Sequence, residues 1–302
     1  MADAKFFGIN GENYPILDQA ARDASAQALA EAEFSRQESL GIYPGRDIAT
    51  ILAGEVAGSS DVFTVLHQRA QAGDYSMLRP GDYITVEIAG RPNVLQQERR
   101  YQLGGVDLQY GANDKAPGEG HTLMFVPEAP IEVTGTKAVN GSYLPWNTTN
   151  NNNGTAENKC PYMVSNLHKW EIEDFLPALP QALQDVLVNR RALLEERYTS
   201  GQTLTDSGGW SWQDMGKVWS LSEIEVYGCL VWAGPYAAGF DCHVPLFKST
   251  KWRLRGTRVD WWLRSVRAGS SSGACYVGSY GHAYSSVATH GWLRPAPGFL
   301  IG

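Results

Sequence analysis

The side chains of this 302-residue chain best suited to metal or nucleophile chemistry are six histidines and four cysteines: His67, His121, His168, His243, His282 and His290, with Cys160, Cys229, Cys242 and Cys275. Their spacing supports neither chemistry. No histidines stand at H-x-x-x-H or within H-E-x-x-H, and no cysteines form C-x-x-C, so a zinc centre or a thioredoxin-type dithiol is not expected. The cysteines read as buried free thiols, with a Cys229–Cys242 disulfide as the alternative. Asp241-Cys-His243 has the acid and imidazole of a triad, but no G-x-S-x-G elbow accompanies it. His121 precedes a strand and reads as bonded to backbone. Glu195, Glu196, Glu223 and Glu225 fall in stretches that read as helical, and there as solvated faces rather than the paired carboxylates of a glycosidase. No catalytic residue, cofactor or metal is therefore expected.

The informative chemistry is recognition. Residues 266–290 hold six Ser, four Gly, four Ala, three Tyr, three Val and two His, and lack Lys, Glu, Gln, Met and Trp. Those five absent types are the ones an Asn AAC codon cannot reach by changes at its adenines. Tyr276, Tyr280 and Tyr284, with His282 and His290, sit among Ser, Gly and Ala. This is paratope chemistry: Tyr supplies rigid amphipathic contact at low entropic cost, while Ser and Gly adapt. Cys275–Gly278 and Ala283–Val287 read as two strands joined through Ser279-Tyr280-Gly281-His282, which predicts a hairpin carrying these rings.

The elements that must hold this hairpin are mixed, so the fold class is α+β. An alanine-rich helix is predicted over 14–38, weakly striped (Ile16/Leu17, Ala20/Ala21, Ala24, Ala28) and suited to packing on copies of itself. A helix over 61–73 ends in Gly73. A turn at Arg79-Pro-Gly-Asp82 leads into strands from Tyr83, Tyr101 and His121, which alternate as if one sheet face were wet. Asn147–Gly154 reads as a surface loop. Residues 165–198 read as helical in two pieces interrupted by Pro177 and Pro180. Ser220-Leu-Ser-Glu223 reads as a capping box, with the helix stopping at Gly228. The organisation is a helical arm over 1–47 and one domain over 48–302.

Composition removes other classes. A formal net charge of −7 offers no basic footprint for nucleic acid or an anionic membrane. No apolar run approaches the roughly 20 residues that span a bilayer. The start, Met1-Ala-Asp-Ala-Lys-Phe-Phe, lacks the apolar core of a signal peptide.

Four motifs then occur in order: Trp219-Ser-Leu-Ser-Glu-Ile-Glu-Val-Tyr-Gly228, Pro245-Leu-Phe247, Trp261-Trp-Leu-Arg-Ser265 and Gly291-Trp-Leu-Arg-Pro-Ala296. Together they resemble the variable proteins of diversity-generating retroelements, of the phage and prophage type with a C-terminal C-type-lectin fold. The resemblance covers about the last two-thirds of the chain. It implies a C-type-lectin-like domain and a variable ligand-binding region about 264–292, rewritten through adenines by a reverse transcriptase. It further implies a phage receptor-binding protein at a tail-fibre tip, a homotrimer carried on a virion or a bacterial surface. The partner would be a bacterial surface protein or glycan. By this resemblance Trp261, Trp262, Arg264, Gly281 and Arg294 are scaffold, with Leu263, Ser265, Gly291 and Pro295. Val277 and Val287 read as inward-facing. The displayed set is Arg267, Ser270, Ser271, Gly273, Cys275, Tyr276, Gly278, Tyr280, His282, Tyr284, Ser285, Ser286, Ala288, Thr289 and His290. An exposed Cys275 would fit random diversification, because selection for a stable surface removes free thiols. The alternatives are a fixed-specificity fibre or baseplate protein, a lectin-like glycan binder and, less favoured, an enzyme of formylglycine-generating type. Calcium-bridged sugar binding is disfavoured, since Glu-Pro-Asn and Gln-Pro-Asp are absent and residues 261–302 carry no acid.

Overall fold

The computed structural model describes residues 6–9, 12–15, 19–111, 120–201, 203–234, 241–256 and 258–302. The chain forms two compact units, Met1–Pro44 and Gly45–Gly302.

In the first unit, β1 (Phe6–Ile9) pairs antiparallel with β2 (Glu12–Pro15), and α1 runs from Gln19 to Ser39. The predicted helix therefore loses its first residues to a strand. Pro15 explains part of this, because the residue before a proline is driven to extended backbone. The apolar positions Ile16 and Leu17 lie outside the described residues. None of the residues of α1 is buried, and Leu29 is among its exposed side chains. Glu33 and Arg36 pair one turn apart at 2.7 Å.

The second unit opens with the short helices α2 (Ile48–Ile51) and α3 (Ala53–Ala57). Then comes α4 (Val62–Ala72), closed by left-handed Gly73 as its sequence predicts and capped by the Asp61 carboxylate on Thr64 N–H. An antiparallel sheet follows, ordered β3 (Tyr83–Ile88), β4 (Gln97–Val106), β5 (Leu123–Pro127), β13 (Gly298–Ile301), β6 (Leu187–Val188). The short β9 (Val218–Trp219) also pairs with β13. The expected wet face holds only at the edge: β3 alternates buried and exposed, whereas β5 and β13 are buried at every residue. Leu-Met-Phe-Val is a continuous apolar run, the pattern of a strand covered on both faces.

Residues 165–198 depart most from expectation. Helix α5 (Pro161–Val164) and Ser165-capped α6 (Asn166–Trp170) run into a π-helical turn, Glu171–Phe175, a 3-10 turn, Leu176–Ala178, and α7 (Gln181–Val186). From Leu187 the chain is strand: β6 joins β13, and β7 (Arg191–Glu196) pairs with β8 (Gly209–Asp214). Tertiary pairing outweighs the helix propensity of Ala-Leu-Leu-Glu-Glu there. The capping box exists two residues later than predicted: Ser222 and Glu225 bond reciprocally at the start of α8 (Glu223–Tyr227), and Gly228 closes it at φ 73°. All four cysteines are free, Cys160 and Cys275 buried and Cys229 exposed.

A buried carboxyl sits in this core. Glu171 is fully enclosed, its oxygens 2.5 Å from Tyr162 Oη and 2.5 Å from Ser220 Oγ. His168 Nδ1 lies 3.8 Å away and Arg264 acts at longer range. Desolvation pushes Glu171 up to about 8, with the hydroxyls and Arg264 opposing; burial pushes His168 down to about 4. The signs differ in consequence. Between 4.5 and 8 the folded state keeps a proton on Glu171 that the unfolded chain has released, so stability falls with rising pH. Between 4 and 6.5 His168 does the reverse, so the two oppose each other up to pH 6.5. Above it the Glu171 loss stands alone, at about 1.4 kcal/mol per pH unit. Urea unfolding at pH 6.5 and pH 8 should therefore show lower stability at pH 8, and Glu171→Gln should flatten the difference.

Candidate ligand-binding face

The stretch singled out by composition forms its own three-stranded antiparallel sheet, ordered β10 (Trp261–Val266), β11 (Gly273–Val277), β12 (Ala283–Val287). Trp262 sits opposite Tyr276, Tyr276 opposite Tyr284, and Cys275 opposite Ser285. Every residue of β10 is buried. Trp262 Nε1 donates to Leu144 O at 2.7 Å, and Trp146 Nε1 donates to Leu263 O at 3.0 Å, so the indoles are buried with their polar ends satisfied. Trp261, Trp262 and Gly281 are all buried, and Gly281 is enclosed in the 278–282 turn at φ 78°, where an L side chain is strained.

The strand period of two decides what is displayed. Tyr280 is 73% exposed and Tyr284 47%; His282, Thr289 and Arg267 are exposed, and Tyr276, Ser270, Ser271, Ser286 and His290 are half-buried. Five residues of the expected display set are buried instead: Gly273, Cys275, Gly278, Ser285 and Ala288. With Tyr276 facing out, Cys275 and Val277 must face in, and desolvation raises the Cys275 thiol well above its ordinary range. The sulfur is thus a core atom and no exposed thiol. Val287 errs the other way: expected inside, it is exposed.

The displayed rings are contiguous. Tyr276 and Tyr284 meet edge-on at 5.6 Å, Tyr284 meets Trp232 at 5.7 Å and His282 at 5.9 Å, and His282 meets Tyr280 at 6.5 Å. Arg267 lies over Trp232 at 5.3 Å. Trp232 belongs to no predicted set, yet its indole N–H donates to Ala283 O at 3.1 Å and joins its loop to β12.

The loops are held by buried polar groups. Glu223 is fully buried and accepts the backbone N–H groups of Val231, Trp232 and Ala233 at 2.8–3.0 Å. Asn152, expected in a surface loop, is also fully buried; its Nδ2 donates to Ser270 O at 2.8 Å and Gly273 O at 2.6 Å. Arg197 Nη1 donates to Arg267 O and Ser270 O. Beneath β10, Arg264 pairs with Glu225 and Asp241, both also paired with Arg190. Glu195, Glu223 and Glu225 are therefore buried, not solvated, and Asp241 faces arginines rather than acting in a triad. Arg294, the other arginine of the expected scaffold set, donates to Glu132 at 3.1 Å and Ser142 Oγ at 2.7 Å. His121 bonds the Asp107 carboxylate at 2.8 Å rather than backbone. Among the described residues no His, Cys, Asp and Glu cluster could hold a metal ion, and no helix is long and apolar enough to cross a membrane.

A family defined as a domain of unknown function, DUF6273, matches residues 135–298, just over half of the chain. The chain belongs to the DUF6273 family. The DUF6273 segment takes in β10, β11 and β12, Asn152 and Trp232, and the whole Arg190–Glu225–Asp241–Arg264 cluster; β3, β4 and β5 precede it. A search of curated proteins and of solved structures finds no match.

Proposed function

We propose that this protein is an adhesion protein that binds its target through the face of β10–β12, on a domain of C-type-lectin type. The observation that carries the reading is the unbroken strip Arg267–Trp232–Tyr284–His282–Tyr280, exposed except at half-buried Trp232, at the β12 side of a sheet whose opposite strand, β10, is wholly buried. Aromatic and Arg side chains concentrate binding energy, and a rigid base lets them change without unfolding the domain. With the composition of 266–290 and the four ordered motifs, this supports a variable face rewritten by a retroelement, on a phage tail-fibre tip or related bacterial-surface adhesin. The partner is a bacterial surface protein or glycan. The test is the coding DNA. A nearby second copy of the segment encoding 261–296, differing where it carries adenine, is the expected finding. Absence of both a copy and a reverse-transcriptase gene would sink diversification.

A fixed-specificity adhesin is the second reading. It is favoured by burial of Gly273, Cys275, Gly278, Ser285 and Ala288, which leaves fewer positions free to vary.

The absence of any buried residue in α1 supports assembly as a homotrimer through the arm, since an isolated amphipathic helix gains most of its stability from packing. Light scattering at micromolar concentration should give three times the chain mass; a monomer would refute it.

A further inference from the structure

Among the described residues of the second unit five arginines are buried, and four are met by carboxylates: Arg69 by Glu55, Arg190 and Arg264 by Glu225 and Asp241, Arg197 by Glu195. Arg255 is the exception. It is 3% exposed, at the end of the 3-10 segment Thr250–Leu254. Its Nη1 donates to Gln102 Oε1 at 3.0 Å, and its Nε has no partner among the described residues. The rings of Phe247 and Trp261 lie 4.7 and 5.5 Å from its guanidinium carbon. Rings and one amide compensate a buried charge only in part. Burial pushes the group down to about 9, with Glu128 opposing from a distance.

In front of Arg255 lies a cavity of about 250 Å³, also lined by Lys251, Arg258, Trp252, Gln102 and Glu128. Three cations and one carboxylate face this space. Arg255 and Arg258 hold positive φ values of 41° and 50°, strain of the kind that collects at ligand clamps.

We propose that this cavity binds a small anion through its carboxylate or phosphate group, with Arg255 as the buried anchor and Lys251 and Arg258 at the mouth. A charged acceptor satisfies the guanidinium that no carboxylate among the described residues pairs with. The site borders the displayed hairpin: a Cβ on Gly281 would lie 3.3 Å from Arg253 Cβ and 3.5 Å from Leu254 Cδ2. All of its residues lie outside 266–290, so its specificity is constant whatever that stretch carries. It does not depend on the adhesion reading.

The experiment is calorimetric titration of the full chain at low ionic strength with inorganic phosphate, glucuronate and glucose, paired with thermal unfolding. Saturable one-to-one binding of phosphate or glucuronate, without glucose, is expected. Phosphate alone would assign a phosphoryl source and glucuronate alone an acidic sugar. Arg255→Gln should abolish the response while leaving the anion-free melting temperature unchanged or raised, because it removes an unpaired buried charge; a purely structural arginine would lower it. If that variant fails to fold, the double variant Lys251→Ala, Arg258→Ala, changed only at exposed positions, should still weaken binding about tenfold with no change in melting. No saturation up to about 10 mM, well above a weak-ligand Kd of roughly 1 mM, overturns the site. So does glucose binding as well as glucuronate, or an undiminished response in both variants.

Discussion

Arg264→Met is expected to destabilise the second unit by about 3–5 kcal/mol, the cost of breaking a buried ion pair from one side. Two arginines and two acids alternate here. Arg264 donates to Glu225 and to Asp241, each at 2.6 Å, while Arg190 pairs with Asp241 at 3.0 Å and closely with Glu225. Glu225 also accepts the Ser222 N–H at 2.8 Å, tying the cluster to the start of α8. Burial by itself would raise the Glu225 carboxyl; the two guanidiniums outweigh it and hold the group below its usual range. Removing one cation leaves two carboxylates on Arg190. Against a typical domain stability of about 5–15 kcal/mol the loss is severe. Urea unfolding measures it, and a change under about 1 kcal/mol would show that the cluster carries little of the fold. Replacing all four members with apolar residues of matched volume is the informative control, since a fully removed network is often neutral.

The second large effect is on binding. Replacing Tyr280 and Tyr284 with Ala should abolish capture of the target, a loss of at least about 2 kcal/mol for each hot-spot ring, with melting unchanged within a few degrees. Tyr276 differs from its neighbours. It is half-buried and meets Trp262 edge-on at 6.0 Å, so Tyr276→Ala should lower stability as well. Trp262→Ala should do the reverse of the exposed pair and unfold the domain at about 3–5 kcal/mol. Surface plasmon resonance on target cells or extracts, beside thermal melts, separates the two classes. Unfolding of the Tyr280, Tyr284 variant would mean that those rings are structural.

The hairpin was legible in the sequence because its signals are local. Alternation fixed β12 at Ala283–Val287, and turn residues fixed the Ser279–His282 connection. Local reading failed where a polar side chain finds a distant partner. Glu225 lies 39 residues from Arg264, and Asn152 lies 121 from Gly273. A charge or an amide in a short window reads as surface, because the group that neutralises it is elsewhere in the chain. The phase of β11 failed for a related reason. Whether Cys275 or Tyr276 faces in is set by the wall behind the strand, and Cys-Tyr-Val suits either phase.

The buried positions of β11, β12 and their turns, Ser285 apart, have a counterpart in the genetic code. Gly273, Ala274, Cys275, Val277, Gly278, Gly281 and Ala288 are all buried. Glycine, alanine and valine codons begin GG, GC and GT, and cysteine is TGT or TGC, so an adenine in any of them sits only at a silent third base. Tyr276, Tyr280, His282, Tyr284 and Thr289 outside each require an adenine in the first two bases. Copying that alters adenines alone would leave an inward position fixed where the second copy also spells it without adenine in the first two bases, and would rewrite an outward position where that copy carries adenine there. The code itself would then shield the packing while the surface is rewritten.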